Sequence, residues 1–473
     1  MTNSSKGNMP TNNNSGNNQS NSNTQSNPNN PSTPNKMHYK VLLDVDLVPY
    51  EKEDQLTLLV ELTAPSSPKQ ASRPGQAVQC VIDRSGSMSG ERLEAAKGSI
   101  LRLVDRLAPQ DSFGVVAFDD TALVIAPMRP MADHHIPSLK RAIASMDTGG
   151  STDISAGFLL GLREVARPQA PGGSTLLLVS DGQANSGERD PDFFRDVASK
   201  HAIDRIQSSS IGVGNGYDET ILEAIAQGGG GAHRFANTVD EAIGAIAAEV
   251  DDLLEKTVVN AVLRISPTPM MQGAPSIEML QRLPHWKEKE DYIIQLGDFH
   301  AGEERRFLIV LNVPQMQSLG LAQIATITIE YLDLNARSEV SISMPVNVNV
   351  VPDDVAKGRI QDPIVKAERL ILEAQSEKER AADEMRQGEG KKASMRLKKT
   401  AERLRHQAAE IPANDERSAE SLRIIRSEAD EMQALAESAE NDDALYSSKR
   451  MRESFSQNSR SRKPRNKPDS TSN

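Results

Sequence analysis

The sequence predicts an α/β domain inserted into a β-sandwich and followed by a helical region. Between about residues 78 and 255, short apolar segments alternate with amphipathic ones, which is typical of a doubly wound parallel sheet. Strand-like segments lie on both sides of this region. Several of the later ones alternate apolar and polar residues, which favours antiparallel sheets with one solvent-exposed face. From residue 353 the chain becomes dense in charge, with thin apolar stripes at helical spacing.

Length and composition exclude several classes of function. The chain has 473 residues, a formal net charge of −12 and aromatic residues at 3%. This acidity argues against duplex DNA as the main partner, and the low aromatic content argues against a stacking surface for single strands. The single cysteine, Cys80, excludes an intramolecular disulfide and any zinc site built from several cysteines.

The two ends of the chain are predicted to be disordered. Residues 1–36 are mostly Asn, Ser, Gln, Pro and Gly, which cannot bury enough apolar surface to offset their ordering entropy. Residues 447–473 form a basic tail. The sequence has no apolar run of membrane-spanning length and no secretion signal, so we expect a cytoplasmic protein that does not contact membranes.

The β-sandwich is predicted from two separate parts of the chain, residues 37–77 and 256–352. The first part has strand-like segments at 38–48 and 55–63, with a polar turn between them. With the later segments these give about seven strands, a normal number for a sandwich. The later strands are predicted at 257–265, 292–296, 304–313, 322–332 and 338–350. An alternative is a separate all-β domain after the α/β domain, with the early strands packed elsewhere.

The α/β domain is predicted to occupy residues 78–255. Its strands are expected at 78–82, 113–118, 122–126, 174–180, 208–213 and 232–236. Its helices are expected at 93–107, 136–146, 154–166, 191–202, 218–227 and 239–254. The second and third strands read as a hairpin pair, and the fourth has the continuous apolar character of a central parallel strand.

Residues 353–446 are predicted to form a small three-helix bundle or helical arm. Asp362 and Pro363 make a favourable start for the first helix, and Gly388 and Gly390 end it. A second helix ends at Pro412. A third helix follows, with Asp415 as its expected N-cap.

Oxygen-bearing side chains cluster in three loops that follow strands of the α/β domain. Asp83, Ser85 and Ser87 leave the first strand on one tight turn, Thr152 lies in a Gly-Gly-Ser-Thr-Asp loop, and Asp181 follows the most apolar strand. Open α/β sheets bind their ligands at the edge formed by the carboxyl ends of the strands, where these loops begin. Carboxylates and hydroxyls without His or Cys suit Mg²⁺ or Mn²⁺ rather than zinc.

This five-residue pattern resembles the metal-ion-dependent adhesion site of the von Willebrand factor type A family, and the resemblance covers about residues 78–255. It implies that Ser85, Ser87 and Thr152 supply hydroxyl oxygens to the metal, directly or through water. It also implies that Asp83 and Asp181 act largely through bridging waters, and that the sixth position takes a carboxylate from a partner. The alternative is a structural clip that only holds the three loops together.

Three functions from different classes follow. The leading one is an intracellular Mg²⁺-dependent scaffold that binds a partner Asp or Glu, by family resemblance beside a separate AAA+ ATPase of the MoxR or chelatase kind. A metal-dependent hydrolase would need a general base, for which Asp153 and Asp119 are the nearby candidates. A nucleic-acid scaffold would use the basic tail as a tether. The basic residues of the tail are Lys449, Arg450, Arg452, Arg460, Arg462, Lys463, Arg465 and Lys467.

Overall fold

The computed structural model describes residues 36–66, 74–168, 170–214, 216–271, 277–412, 416–441, 447–449 and 451–452. The predicted disordered segment 1–36 therefore lies outside the described residues, apart from its last residue. So does Asp415, the expected N-cap of the third bundle helix. Within the described ranges, no helix combines the length and the apolar character that crossing a membrane requires.

The early part of the chain contributes three strands to the sandwich. They are β1 (His38–Leu43), β2 (Leu47–Pro49) and β3 (Asp54–Thr63). The single strand predicted at 38–48 is interrupted at Asp44, whose Oδ1 accepts the backbone N–H groups of Val45 at 2.9 Å and Thr57 at 2.8 Å. After this turn the chain passes from one sheet to the other, because β1 and β2 belong to different sheets.

The α/β domain follows in the predicted order. Its elements are β4 (Ala77–Asp83), α1 (Glu91–Arg106), β5 (Ser112–Phe118), β6 (Ala122–Pro130), α2 (Ile136–Ala144), α3 (Ile154–Val165), β7 (Ser174–Ser180), α4 (Pro191–Ile203), β8 (Ile206–Val213), α5 (Glu219–Gly228), β9 (Gly230–Ala236) and α6 (Val239–Leu254). The strand order is β6-β5-β4-β7-β8-β9, and only the edge strand β6 is antiparallel among these described strands. Apolar clusters cover both faces of the sheet.

The remaining strands complete the sandwich. They are β10 (Lys256–Pro267), β11 (Ile277–Met279), β12 (His285–Glu288), β13 (Asp291–His300), β14 (Glu304–Val313), β15 (Gly320–Asp333) and β16 (Ser338–Val351). One sheet has the order β1-β3-β14-β11 and the other β12-β13-β10-β15-β16-β2. The predicted insertion is confirmed, because β3 pairs with β14 along its whole length and β2 pairs with β16.

The described part of the chain thus has ten sandwich strands where about seven were predicted. The three additional ones, β2, β11 and β12, have only three or four residues each. Segments this short contain too few positions for a period of two to be recognised.

The α/β domain contacts the sandwich at the N-terminal end of its central strand β7. The buried Lys256 ammonium donates to Thr175 Oγ1 at 2.8 Å and to Asp298 Oδ2 at 2.7 Å, which joins the start of β7 to β13. Because Thr175 lies near the N-terminal end of β7, the carboxyl ends of β4 and β7 face away from this junction. The sandwich therefore does not cover the edge at which open α/β sheets generally bind their ligands.

Four helices form the helical region between residues 353 and 441, as far as that stretch is described. They are α7 (Asp353–Lys357), α8 (Pro363–Arg386), α9 (Gly390–Glu410) and α10 (Glu416–Asn441). The last three share one apolar core, as predicted, and Asp362 caps α8 by accepting two backbone N–H groups. The start of α8 also packs on the sandwich, where Ile364 and Val365 contact Leu59 and Leu308.

The predicted start of the disordered tail at residue 447 disagrees with the structure. Residues 447–449 and 451–452 are helical, and Lys449 and Met451 are fully buried. The charges of Lys449 and Arg452 favoured a solvated tail in the sequence, but acidic partners distant in the chain compensate them here. The rest of the predicted tail, residues 453–473, lies outside the described residues.

Candidate metal-binding site

Asp83 ends strand β4 and is the most deeply placed of the five predicted ligands. Its side chain is fully buried, and its Oδ1 accepts the Ser85 N–H at 2.7 Å, which closes the tight turn. Its Oδ2 accepts the Ser180 hydroxyl at 2.5 Å from the end of the neighbouring strand β7. Burial raises the pKa of Asp83 to about 6, against the opposing effect of the hydrogen bonds from Ser180 and Ser85.

The two serines of the first loop connect it to Asp181 in the loop after β7. Ser85 Oγ and Ser87 Oγ lie 3.0 Å apart, and the Ser87 hydroxyl donates to Asp181 Oδ1 at 2.7 Å. Ser85 and Asp181 are buried, whereas Ser87 is exposed. The cluster therefore begins in the interior and opens to solvent at Ser87.

Thr152 enters the same cluster from the loop before α3. Asn185 fixes its backbone, since the Thr152 N–H donates to Asn185 Oδ1 at 2.8 Å and the Thr152 carbonyl accepts the Asn185 N–H at 3.1 Å. A Cβ atom built on Gly182 would lie 2.8 Å from Thr152 Oγ1 and 3.4 Å from Ser87 Oγ. Both hydroxyls thus border the same glycine, next to Asp181. The structure brings all five predicted residues together.

Arg92 is a site residue that the sequence analysis missed. Its Nη1 lies 2.6 Å from Asp181 Oδ2 and 3.3 Å from the Ser87 carbonyl oxygen. The Arg92 side chain is 42% exposed, whereas that of Asp181 is buried, so Arg92 lies on the solvent side of Asp181. The available signal was its place in the first turn of α1, directly after the oxygen-rich loop, but a lone arginine on a helix is usually a solvated surface residue.

The chemistry of the donor set fits a hard divalent cation. Two carboxylates and three hydroxyls converge, and all of these donors are oxygens, as Mg²⁺ and Mn²⁺ prefer. No group of three or more His, Cys, Asp or Glu side chains suited to a metal occurs among the described residues, so a site here depends on the hydroxyls.

The two carboxylates considered as general bases have structural partners. Asp119 pairs with Arg84 at 2.6 Å and lies under the Gly149 turn, where a Cβ would meet its Oδ2 at 1.8 Å. Asp153 caps α3 by accepting the Ala156 N–H at 2.9 Å. Both carboxylates therefore hold the loops that carry the predicted ligands.

Residues 78–249 match the family model of the von Willebrand factor type A domain. Among curated proteins, the chain is 30% identical over 276 residues to the uncharacterised protein YfbK of Escherichia coli, covering 57% of this chain and 47% of that protein. It is 28% identical over 246 residues to the uncharacterised protein sll0103 of Synechocystis, covering 50% of this chain and 57% of that protein. The chain thus spans about half the length of these relatives.

The structural comparison extends beyond the α/β domain. A von Willebrand factor type A structure from Catenulispora acidiphila aligns with a TM-score of 0.66 at 16% identity, covering 86% of this chain and 98% of that one. At this identity the likeness concerns the fold. The family match, the strand order and the structural likeness agree on one segment of the chain: residues 78–249 match the von Willebrand factor type A domain and have its fold.

Proposed function

We propose that this protein is a scaffold that binds a protein partner through a divalent cation at the sheet edge. Asp83, Ser85, Ser87, Thr152 and Asp181 would hold Mg²⁺ or Mn²⁺. The observation that carries the proposal is the convergence of these five oxygen-bearing side chains from three loops on one opening beside Gly182. A cation bound there would supply a positive charge that a partner's carboxylate oxygen can bind.

The proposed partner presents an Asp or Glu on an exposed loop. A carboxylate that also pairs with a cationic side chain compensates the charge of a bound divalent cation only in part. Asp181 is such a carboxylate, because its Oδ2 pairs with Arg92. The positive guanidinium beside the opening therefore adds to the attraction for an anionic side chain. On family resemblance alone, we propose a separate AAA+ ATPase of the MoxR or chelatase kind in the cytoplasm as this partner.

A binding role is favoured over hydrolysis by the environment of the acidic side chains. A hydrolase would need a carboxylate able to take a proton near the cation. Asp119 is paired with Arg84, and Asp153 accepts both a helix N–H and the Ser155 hydroxyl. These contacts support a framework role for both residues, so we propose that the protein is not an enzyme.

The test is affinity capture by the full chain in Mg²⁺ and in EDTA, with Thr152→Ala as the informative variant. We expect capture of a partner in Mg²⁺ only, and loss of capture in Thr152→Ala with little change in the thermal midpoint. Replacing the partner's acidic residue by its amide should abolish the interaction. Retained capture by a destabilised Thr152→Ala variant would instead identify the site as a structural clip.

A further inference from the structure

The C-terminal strap, residues 447–449 and 451–452, lies between the α/β domain and the helical region. Ser447, Ser448, Lys449 and Met451 are fully buried, and Arg452 is 5% exposed. Met451 belongs to the apolar core of the helical region, and the Ser448 hydroxyl donates to the Ala382 carbonyl at 3.2 Å. One side of the strap is therefore fixed to α8.

On its other side, the strap contacts acidic residues of α5 through its positively charged side chains. Lys449 Nζ lies 3.2 Å from Glu219 Oε2, and Arg452 pairs with Glu223 and, at 2.5 Å, with Asp383 of α8. The side chains of Lys449, Arg452, Glu219 and Glu223 are almost completely buried. Charge complementarity of this kind makes the position of the strap specific, because a displaced strap would leave buried carboxylates less well compensated.

Lys449 also contacts the loop between β8 and α5. Its Nζ donates to the Tyr217 carbonyl oxygen at 2.7 Å and lies 3.6 Å from the centre of the Tyr217 ring, where a cation–π attraction adds to the hydrogen bond. The strap therefore holds Tyr217 both by its backbone and by its ring.

The same carbonyl oxygen is bound by the loop that carries Asp181. Gln183 Nε2 donates to the Tyr217 carbonyl at 2.8 Å and to the Gly216 carbonyl at 3.0 Å, and the Asp218 N–H donates to the Gly182 carbonyl at 3.1 Å. Gly182 and Gln183 directly follow Asp181 in the chain. Tyr217 is thus a shared contact of the metal-site loop and the strap.

We propose that the strap is a regulatory brace that is coupled to occupancy of the metal site, an inference that rests on the proposed function. With Lys449 in place, the loop from Gly216 to Asp218 is held against Gly182 and Gln183, and the Asp181 loop is preorganised. Release of the strap removes one of these restraints and weakens metal binding. Because coupling between two sites is reciprocal, metal binding must stabilise the docked strap by the same factor.

The first test measures Mn²⁺ affinity by calorimetry in the full chain with Lys449→Met. This substitution keeps the stem and removes the ammonium, and Glu219 retains Arg386 at 3.2 Å. The matched control is Lys378→Met, which removes another fully buried ammonium, 2.6 Å from Glu428, while Glu428 retains Gln375 at 2.9 Å. We expect about fivefold weaker binding in Lys449→Met, a typical coupling, and wild-type affinity in Lys378→Met.

The second test measures tryptic cleavage after Lys449 and Arg452 by mass spectrometry, in Mn²⁺ and in EDTA. Both side chains are buried in the docked strap, so cleavage reports its release. We expect cleavage about fivefold slower in Mn²⁺ for the wild type, and no effect of Mn²⁺ in Asp181→Asn. Mn²⁺ binding with equal affinity in Lys449→Met and equal cleavage in both conditions would overturn the brace alone, whereas no Mn²⁺ binding by the wild type would overturn the proposed function as well.

Discussion

Arg92 Nη1 and Asp181 Oδ2 form an ion pair of 2.6 Å at the outer rim of the oxygen cluster. Asp181 is buried, and its Oδ1 accepts the Ser87 hydroxyl. Asp181 thus directs Oδ1 to the oxygen cluster and Oδ2 to the Arg92 guanidinium. A positive charge so close to a divalent cation opposes its binding, while it stabilises the buried Asp181 carboxylate when that cation is absent.

Arg92→Ala is therefore expected to strengthen Mn²⁺ binding. The Arg92 side chain is 42% exposed, so solvent screens the effect of its charge, and we expect a change of about 1 kcal/mol, or about fivefold in affinity. Calorimetry measures this directly. Lys140→Ala, which removes a partly exposed cation paired with Asp105 in the same domain, is the control and should leave the affinity unchanged. Weaker binding in Arg92→Ala would show that Arg92 positions Asp181 for the metal instead.

Gly182→Ala should abolish Mn²⁺ binding, because the added Cβ would lie 2.8 Å from Thr152 Oγ1 and displace that hydroxyl. We expect a loss of stability of about 1–3 kcal/mol from the overpacking. Gly98→Ala, in the middle of α1 with no atom within 4 Å of the added methyl, is the control and should stabilise the helix by about 0.5–1 kcal/mol. Unchanged Mn²⁺ affinity in Gly182→Ala would contradict a role for Thr152 as a ligand.

The buried His233 is expected to make the folded protein less stable in acid. Burial lowers its pKa to about 3, with further lowering by Arg452 and Lys449, and its ring nitrogens contact Ser210 Oγ at 2.9 Å and the Tyr217 hydroxyl at 3.3 Å. Below pH 6.5 the unfolded chain takes up a proton that the folded protein excludes, so stability falls as the pH falls from about 6.5 to about 3.

The expected slope from this one group is about 1.4 kcal/mol per pH unit in that range. Urea unfolding of the wild type and of His233→Gln, at pH 7 and pH 5, measures it as the difference between the two proteins. The substitution should reduce the pH dependence. Parallel stability curves for the two proteins would show that His233 titrates normally in the folded state.

Deleting residues 37–66 tests the insertion of the α/β domain. The deletion removes β3, which pairs with β14 along ten residues, and so leaves an unpaired strand edge beside an exposed core. We expect aggregation and loss of a cooperative unfolding transition, measured by size-exclusion chromatography and circular dichroism. A monomeric, cooperatively folding fragment that starts at residue 74 would mean that the later strands are stable without the early ones.

The order of the elements and the clustering of five side chains could be predicted from the sequence. Apolar segments such as β7 carry a strong local signal, and the carboxyl ends of parallel strands meet at one edge of the sheet. The positions of Asp83 and Asp181 at two such strand ends therefore predict that they lie together. The insertion could be proposed because strand-like segments without intervening helices lie on both sides of the α/β domain. These predictions rest on local pattern and on topology.

The features that were missed depend on contacts between distant parts of the chain. Arg92 and Lys449 both look like solvated surface residues in the sequence, because charge alone does not reveal the carboxylate with which each of them pairs. Asp181 is 89 residues away from Arg92, and Glu219 belongs to another domain than Lys449. The three shortest sandwich strands likewise form only because longer neighbours offer them an edge.

Mn²⁺ calorimetry on the wild type, Ser87→Ala and Ser89→Ala tests whether the edge of the sheet binds a divalent cation. Both serines are exposed in the same loop, but only Ser87 contacts Ser85 and Asp181. We expect one Mn²⁺ per chain for the wild type and Ser89→Ala, and at least tenfold weaker binding for Ser87→Ala, a loss of about 1.4 kcal/mol. Equal Mn²⁺ binding in all three proteins, or no binding by the wild type, would contradict a cation site at this edge.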